Sequence, residues 1–148
     1  SQLRIKAALL SILGILAEYD LLTLNDPVHN PRVELLKTVI SYIRQNYQRS
    51  LSLGELAALA GMNEQYFCRF FKKALGKTPI SYINDFRIRH ATTLLCTTEL
   101  PVTEVCLESG FNNLGHFMKE FKKTTQFTPL QFRRRSMAET FPDNKHSL

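Results

Sequence analysis

The sequence predicts an all-α protein with two tandem helix-turn-helix units joined by a long connecting helix. Three observations support this prediction. Apolar residues recur with helical periodicity, turn-forming residues separate the periodic stretches, and a stretch of about 35 residues occurs twice. Self-similarity at a nearly fixed offset is typical of duplicated architecture, so the repeat defines how the chain is organised.

The first unit begins with a short helix after residue 51. Ser52 is a suitable N-cap, and Glu55 stands three residues later, which is the spacing of a capping box. Gly61 follows where the chain must turn sharply and where glycine tolerates a positive φ. The apolar face of this short helix is predicted to contain Leu53, Leu56, Ala57 and Ala60.

The second helix of this unit is predicted to start after Asn63, another good N-cap. Its buried face is predicted to contain Phe67, Phe70, Phe71 and Ala74. Gln65, Arg69 and Lys72 lie on the opposite face, flanked by Tyr66, Cys68 and Lys73. This layout is typical of a helix that enters a DNA major groove, although a helical hairpin with a solvated basic face has the same pattern.

The repeat favours the DNA-binding interpretation. The offset between its copies is 49 residues before one inserted residue near Asn112 and Asn113, and 50 residues after it. The aligned pairs are Leu51 with Leu100, Glu55 with Glu104, Ala57 with Cys106, Gly61 with Gly110, Met62 with Phe111, Phe67 with Phe117, Arg69 with Lys119, Phe71 with Phe121, Lys72-Lys73 with Lys122-Lys123, and Thr78-Pro79 with Thr128-Pro129. A basic second helix therefore occurs twice in one chain.

Charge is distributed in agreement with this interpretation. The net charge is +6 and the isoelectric point about 9.4, which favours an anionic partner. Residues 63–90 carry six basic and two acidic side chains, and residues 113–135 carry six basic and one acidic. Residues 91–112 carry three acidic side chains and no basic one. Positive charge thus accompanies the two second helices, as expected of a nucleic-acid-binding protein.

The remaining elements follow from periodicity and turn signals. Residues 1–24 are predicted to form a helix that is apolar on most sides, and residues 25–31 a linker. We expect the first segment to be the end of an N-terminal effector-binding or dimerisation domain, a helix used in self-association, or a helix folded back on the present domain. A helix over about 32–47 follows, with a buried stripe of Leu36, Val39, Ile40, Ile43 and Tyr47 that is expected to pack across the first unit.

The connecting helix is predicted between the two units. Gly76 stops the preceding helix, Thr78 caps the next one, and Pro79 opens it. This helix is expected to reach about Cys96, with Ile80, Ile83, Ala91, Leu94 and Leu95 buried. Its length of about 27 Å suits a spacer between two DNA-reading elements about one turn of DNA apart. The second unit is predicted over 102–125, a last helix from Thr128-Pro129, and a flexible tail over 136–148.

Cysteine usage and hydropathy argue against three classes of protein: disulfide-rich, zinc-binding and membrane-spanning proteins. The three cysteines, Cys68, Cys96 and Cys106, do not form a disulfide framework, which indicates a reducing compartment. No cysteine or histidine spacing suggests zinc, and we expect neither a metal nor another cofactor. The apolar run over 7–17 is too short to span a bilayer, so no membrane partner is expected.

Several motifs resemble the AraC/XylS family of bacterial transcription regulators. They are the tandem units themselves, Gly76-Lys77-Thr78-Pro79, Arg87-Ile88 with Ala91 and Leu94-Leu95, Val102-Thr103-Glu104-Val105, and Ser109-Gly110-Phe111-Asn112. The resemblance covers about residues 32–135. It implies seven helices, two helix-turn-helix units in one monomer, and recognition helices in adjacent major-groove segments. We expect a regulator of transcription in the bacterial cytoplasm, associated with the nucleoid. We expect it to be an activator, and a repressor is the alternative.

The same resemblance suggests partners. We expect double-stranded DNA and RNA polymerase, with a homodimer and a small-molecule effector acting through an N-terminal domain of the full-length protein. The second unit departs from the family pattern, because Lys119 stands where arginine is frequent and Gly115 occupies an outward position that often carries a side chain.

Individual residues receive roles from this layout. Base contacts are expected from Gln65, Tyr66, Cys68, Arg69, Asn113, His116, Met118 and Lys119. Phosphate contacts are expected from Asn63, Lys72, Lys73, Lys122 and Lys123. Each has a simpler alternative: Arg69 also suits a phosphate, and Gln65 and His116 also suit a solvated surface. Arg133, Arg134 and Arg135 are expected either to contact phosphate or to be solvated.

Two other functions compete with transcription regulation. A DNA-modifying enzyme fragment would need an activated nucleophile, and no cysteine here has a histidine or carboxylate in an evident pairing, so we expect no enzymatic activity. A protein-interaction module would rely on the segment over 1–24. Comparison of specific with non-specific DNA affinity would separate regulation from interaction, and alkylation sensitivity would expose a reactive thiol.

Overall fold

The computed structural model describes residues 30–140, together with Arg4 and Lys6. Residues 30–140 form seven α-helices connected by short turns, and no strand occurs among them. The helices are α1 (Pro31–Asn46), α2 (Leu53–Leu59), α3 (Glu64–Leu75), α4 (Pro79–Thr97), α5 (Val102–Glu108), α6 (Leu114–Thr125) and α7 (Pro129–Thr140). The predicted all-α class and the order of the helices are confirmed.

The chain divides into two compact segments within α1, at Thr38 and Val39. The described part of the segment over 1–38 includes the start of α1, where Lys37 lies 3.6 Å from Glu34 and the Thr38 hydroxyl donates a hydrogen bond to the Glu34 carbonyl. The segment from Val39 onwards contains the rest of α1 and all six other helices.

The first helix-turn-helix unit is formed by α2 and α3. The Ser52 hydroxyl accepts a hydrogen bond from the Glu55 amide, as the capping box predicts. Gly61 has a φ of 67°, which a side chain would strain, so glycine permits the tight turn to α3. Leu56, Ala57, Phe67 and Phe71 are buried between the helices.

The second helix-turn-helix unit is formed by α5 and α6. Its core contains residues of α4, α5, α6 and the intervening turn, namely Ile88, Ala91, Leu95, Val105, Cys106, Phe111, Phe117 and Phe121. Phe132 of α7 packs edge-on against Phe121, with ring centroids 5.6 Å apart. The buried Ser109 hydroxyl donates to the Val105 carbonyl, which satisfies its hydrogen-bonding capacity inside the core.

The long helix α4 serves both units. Thr78 caps it and Pro79 occupies its first turn, as predicted from the turn sequence. Near its start, Tyr82 packs edge-on against Phe71 of the first unit. Farther along, Ala91 and Leu95 are buried in the core of the second unit. The two units are therefore built on one continuous helix.

Two predicted core positions are wrong. Ala74 is exposed, because the seven-residue α2 is too short to cover the last turn of the twelve-residue α3. Ile80 is 44% exposed, because it lies in the first turn of α4 at the rim of a cleft. Phe70 and Leu94 are only half-buried.

Some predictions concern residues outside the described part of the chain. The helix predicted over 1–24 lies outside it, apart from Arg4 and Lys6, and so do positions 25–29 of the linker. Pro31, predicted as the end of the linker, instead begins α1. The tail was expected from Ser136, but α7 continues to Thr140, and positions 141–148 lie outside the description.

Candidate DNA interface

The outward face of α3 carries the side chains that the sequence predicted there. Gln65, Tyr66, Arg69, Lys72 and Lys73 are all exposed. The opposite face is anchored by two fully buried phenylalanines, so the helix cannot rotate without exposing them to water. Cys68 is half-buried at the edge of this face, and its predicted base contact stays a prediction.

The outward face of α6 has a similar layout with different chemistry. Lys119, Lys122 and Lys123 are exposed along it, and Met118 is 36% exposed beside them. With Gln126 and Thr128, these residues line a wide groove of about 540 Å³. The three ammonium groups make this groove a suitable place for a phosphate backbone.

Asn63 and Asn113 have a structural role at the starts of these helices. The Asn63 side-chain oxygen accepts a hydrogen bond of 2.8 Å from the Tyr66 amide, and Asn113 accepts one of 2.8 Å from the His116 amide. Each asparagine thereby fixes the start of its helix. Phosphate oxygens accept hydrogen bonds, so the phosphate contact predicted for Asn63 would come from its amide NH₂ group. The base contact predicted for Asn113 stays a prediction.

His116 does not lie freely beside the outward face of α6. Its ring packs edge-on against Phe111, with centroids 5.6 Å apart, and its Nε2 lies 3.7 Å from the Glu120 carboxylate. These contacts hold the imidazole towards the turn of the second unit. A base contact by His116 remains a prediction, and it would require the side chain to reach around this packing.

Three residues of this surface carry no predicted role from the sequence. Leu114 is 43% exposed in the first turn of α6, and Gln126 and Thr128 line the lysine groove. A signal for Leu114 was present, because the repeat aligns it with Glu64 at the outward start of α3. Gln126 aligns with Gly76, and its φ of 69° matches the left-handed conformation of that glycine at 77°.

Several basic side chains have partners within the fold. Lys77 forms an ion pair of 2.5 Å with Asp85. Arg133, expected at phosphate or in solvent, donates instead to the Leu95 and Thr98 carbonyls at 3.1 and 3.4 Å. The Arg135 guanidinium lies 4.5 Å from the centre of the Phe127 ring. The basic stretch at 133–135 therefore serves partly as structural support.

A polar network connects α1 to the first helix-turn-helix unit. Arg49 pairs with the Glu55 carboxylate, which also accepts a hydrogen bond from the Tyr42 hydroxyl. Hydrogen bonds from Arg49 and then Tyr42 lower the pKa of Glu55 to about 2, and the bond to Glu55 raises the pKa of Tyr42. The network links the end of α1 to the start of α2.

Across residues 30–140, no cluster of histidine, cysteine and acidic side chains has the arrangement of a metal site. Burial raises the pKa of the Cys106 thiol, which makes it less reactive. None of the described helices combines the length and hydropathy needed to cross a bilayer.

Known proteins are similar to this chain in sequence. A protein-family model described as a helix-turn-helix domain matches residues 56–135 of this chain. The chain is 32% identical over 99 residues to the uncharacterised HTH-type transcriptional regulator YdeC of Bacillus subtilis, an alignment that covers 67% of this chain and 34% of YdeC. The chain therefore corresponds to about one third of that relative's length.

Solved structures agree with the fold. A probable AraC family transcriptional regulator from Rhodopseudomonas palustris superposes with a TM-score of 0.62 at 28% identity, covering 70% of this chain and 97% of that one. The DNA-binding domain of AdpA, solved with a target DNA, has a TM-score of 0.66 at 23% identity, covering 78% and 100%. With the matched family model and the two tandem units, the chain belongs to the AraC/XylS family of helix-turn-helix proteins.

Proposed function

We propose that this chain is a sequence-specific, double-stranded DNA-binding regulator of transcription that reads two adjacent major-groove segments with α3 and α6. One observation carries the proposal. Two equivalent helices, each capped by an asparagine and anchored by two buried phenylalanines, present exposed basic faces within a single chain. Membership of a family of DNA-binding regulators supports it.

The two faces divide the work of recognition in this proposal. Arg69 and Gln65 read base edges from α3, because an exposed guanidinium matches guanine at two atoms and an exposed amide matches adenine. Tyr66 and Cys68 contact bases at the edges of α3, and Asn113, His116, Met118 and Lys119 do so from α6. Phosphates are held by Asn63, Lys72, Lys73, Lys122 and Lys123.

The full-length protein is proposed to act as an activator. In that role it contacts RNA polymerase in the bacterial cytoplasm, at the nucleoid. A small-molecule effector and homodimerisation act through an N-terminal domain, which is in keeping with the greater length of YdeC. The proposal includes no catalytic step and no cofactor.

Selection of bound duplexes from a random pool, at a stated salt concentration, tests sequence specificity. We expect a motif with two preferred segments about 10 bp apart on one face of the duplex. Footprinting of the selected site is expected to protect both major-groove segments with one monomer bound. Protection of a single segment at saturation would contradict the two-helix proposal.

The salt dependence of binding tests the proposed phosphate contacts. The four lysines at phosphates and the further cations Arg69 and Lys119 on the same faces bring about six positive charges to the DNA. They predict a slope near −5 in a plot of log affinity against log salt concentration, because each neutralised phosphate releases a condensed counterion. A slope near zero would show that the basic faces of α3 and α6 do not carry the binding.

A further inference from the structure

The connection between α1 and α2 contacts the second helix-turn-helix unit outside the shared helix α4. This connection leads directly into α2 and is tied to it by the ion pair of Arg49 with Glu55, so it is counted with the first unit here. Its first residues, Tyr47–Arg49, lie against the middle of α4 and against the turn of the second unit. We call this contact region the interlock and define it as Tyr47–Arg49, Arg87, Gly110 and Phe111. None of these residues belongs to the outward faces of α3 and α6.

Arg87 is the centre of the interlock. From α4, its Nε donates to the Tyr47 carbonyl at 2.8 Å and its Nη2 to the Arg49 carbonyl at 2.9 Å. The guanidinium carbon lies 5.8 Å from the centre of the Phe111 ring, which belongs to the core of the second unit. One half-buried side chain thus contacts both units, and burial lowers its pKa without removing its charge.

Gly110 brings the units into backbone contact. Its φ is 100°, and a Cβ atom added there would lie 2.3 Å from the Tyr47 carbonyl oxygen. Beside it, the Gln48 side chain donates to the Glu108 carbonyl at 3.3 Å. The equivalent Gly61 has no atom within 4 Å of such a Cβ. The close approach is therefore specific to the second glycine and to its contact with the first unit.

The interlock adds a second point of attachment between the units. A continuous helix alone fixes the distance between two attached units but lets each rock about its own contact with that helix. A contact away from the helix axis removes this freedom, because any rocking would break the carbonyl hydrogen bonds of Arg87 or drive Gly110 into the Tyr47 carbonyl. These contacts therefore restrict the relative orientation of α3 and α6.

We propose that Arg87 is a positioning residue that sets which spacing of the two DNA segments this protein accepts. The proposal rests on the proposed function, in which α3 and α6 read separate segments. Adding one base pair between those segments moves the second by about 3.4 Å and rotates it by about 34°. A rigid pair of reading elements loses the second contact when the geometry no longer matches, whereas a loose pair tolerates the change.

The test uses the selected site and versions of it with one base pair added or removed between the segments. For the natural protein we expect affinity to fall by about tenfold or more on each changed site. Arg87→Met removes both carbonyl hydrogen bonds and the charge over Phe111 while keeping much of the side-chain length. We expect its preference among the three spacings to fall to about threefold or less.

Arg133→Met is the matched control. Arg133 also donates to two backbone carbonyls near the end of a helix, but both belong to α4 and the turn that follows it. This variant is expected to lose stability and to retain the natural spacing preference. A purely structural effect would move the two variants together in thermal unfolding and would leave spacing preference unchanged in both.

Gln48→Ala provides a second variant if Arg87→Met does not fold. Gln48 is exposed, and its replacement removes the hydrogen bond to Glu108. We expect its spacing preference to fall by about twofold. Full spacing preference in every folded interlock variant would overturn the proposal for Arg87. Equal affinity of the natural protein for all three spacings would also overturn it, because the pair of reading helices would then not be rigid. Absence of any sequence-specific binding would instead contradict the proposed function.

Discussion

The first helix-turn-helix unit begins with a hydroxyl cap at Ser52, whereas the second begins at Pro101, which makes no side-chain hydrogen bond to α5. The interiors of the two units nevertheless match closely. Phe67 and Phe71 have ring centroids 5.7 Å apart, and the equivalent Phe117 and Phe121 are 5.6 Å apart. Packing therefore fixes the interior of this motif, whereas the helix ends, the turns and the outward faces can differ.

The turn glycines are expected to give the largest difference between the units. Gly110→Ala should lower the free energy of unfolding by about 3 kcal/mol or more, because left-handed strain and contact with the Tyr47 carbonyl act together. Gly61→Ala should cost only about 1 kcal/mol, because only backbone strain arises there. Urea unfolding monitored by circular dichroism measures both values. Equal losses would mean that the interlock relaxes without cost around a methyl group.

The outward faces should differ in the kind of recognition they support. Arg69→Ala is expected to remove about 1–3 kcal/mol of discrimination at one or two base pairs, because the guanidinium fork is lost. Lys119→Ala should weaken binding nearly evenly across sequences and reduce the salt slope by about one. The reason is that the Lys119 ammonium, although placed near the bases, is a point charge without the two-atom match of a guanidinium.

A panel of single-base-pair changes in the selected site, measured at several salt concentrations, separates these two effects. The roles would have to be exchanged if Lys119→Ala erased the preference at a defined base pair while Arg69→Ala left every preference unchanged.

The helix ends give a smaller difference. Gly76 and Gln126 both follow a twelve-residue helix in the left-handed conformation, with φ values of 77° and 69°. Gln126→Gly should raise the free energy of unfolding by about 0.5–1 kcal/mol, because relief of left-handed strain exceeds the added freedom of the unfolded chain. Gly76→Gln should lower it by a similar amount. The urea m-value should stay unchanged in both variants, and a destabilised Gln126→Gly would mean that the Gln126 hydrogen bond to the Lys123 carbonyl matters more than the strain.

The polar network of the first unit should give the smallest difference, and it should depend on pH. The folded pKa of Glu55 is about 2 and its ordinary value 4.5, so the unfolded state takes up the proton first. The stability that this carboxylate contributes is fully present above about pH 4.5 and is lost as the pH falls towards 2. Glu55→Gln should therefore lower stability at pH 7 and flatten this part of the pH profile.

Glu104→Gln is the matched control for that experiment. Glu104 aligns with Glu55 in the repeat, is exposed, and takes part in none of the ion pairs found in the described part of the chain. Urea midpoints between pH 7 and pH 3 should be nearly those of the natural protein. A flattened profile for Glu104→Gln would show that the acid sensitivity does not depend on the Arg49 and Tyr42 partners.

The features that sequence predicts well here are those set by local chemistry. Ser52, Asn63, Thr78 and Pro79 signal helix starts through their own backbone and side-chain preferences, and the structure places starts at all of them. Repeated phenylalanines at helical spacing identified the buried faces of α3 and α6. The direction in which each outward face points follows from these buried phenylalanines.

Other features depend on neighbours that no local pattern names. The exposure of Ala74 reflects where its partner helix α2 ends, and that of Ile80 reflects a cleft beside α4. Periodicity gives no information about the length of a partner helix or the position of a cleft. Arg87 and Arg133 looked like ordinary members of basic stretches, although their partners are carbonyls 40 and 38 residues away. Their structural use is a long-range contact, so only the three-dimensional arrangement reveals it.

The shared helix α4 has a consequence for how the domain arose and how it unfolds. Its first turns contact α3, and its remainder contacts α5, α6 and α7, so neither half of the molecule has a complete apolar interior without it. We therefore expect the halves to melt as one cooperative unit, and a chain cut within α4 to give two pieces that each expose apolar surface to water. The duplication visible in the sequence has in this way become a pair whose members share one helix, and we expect neither member to persist as a folded module alone.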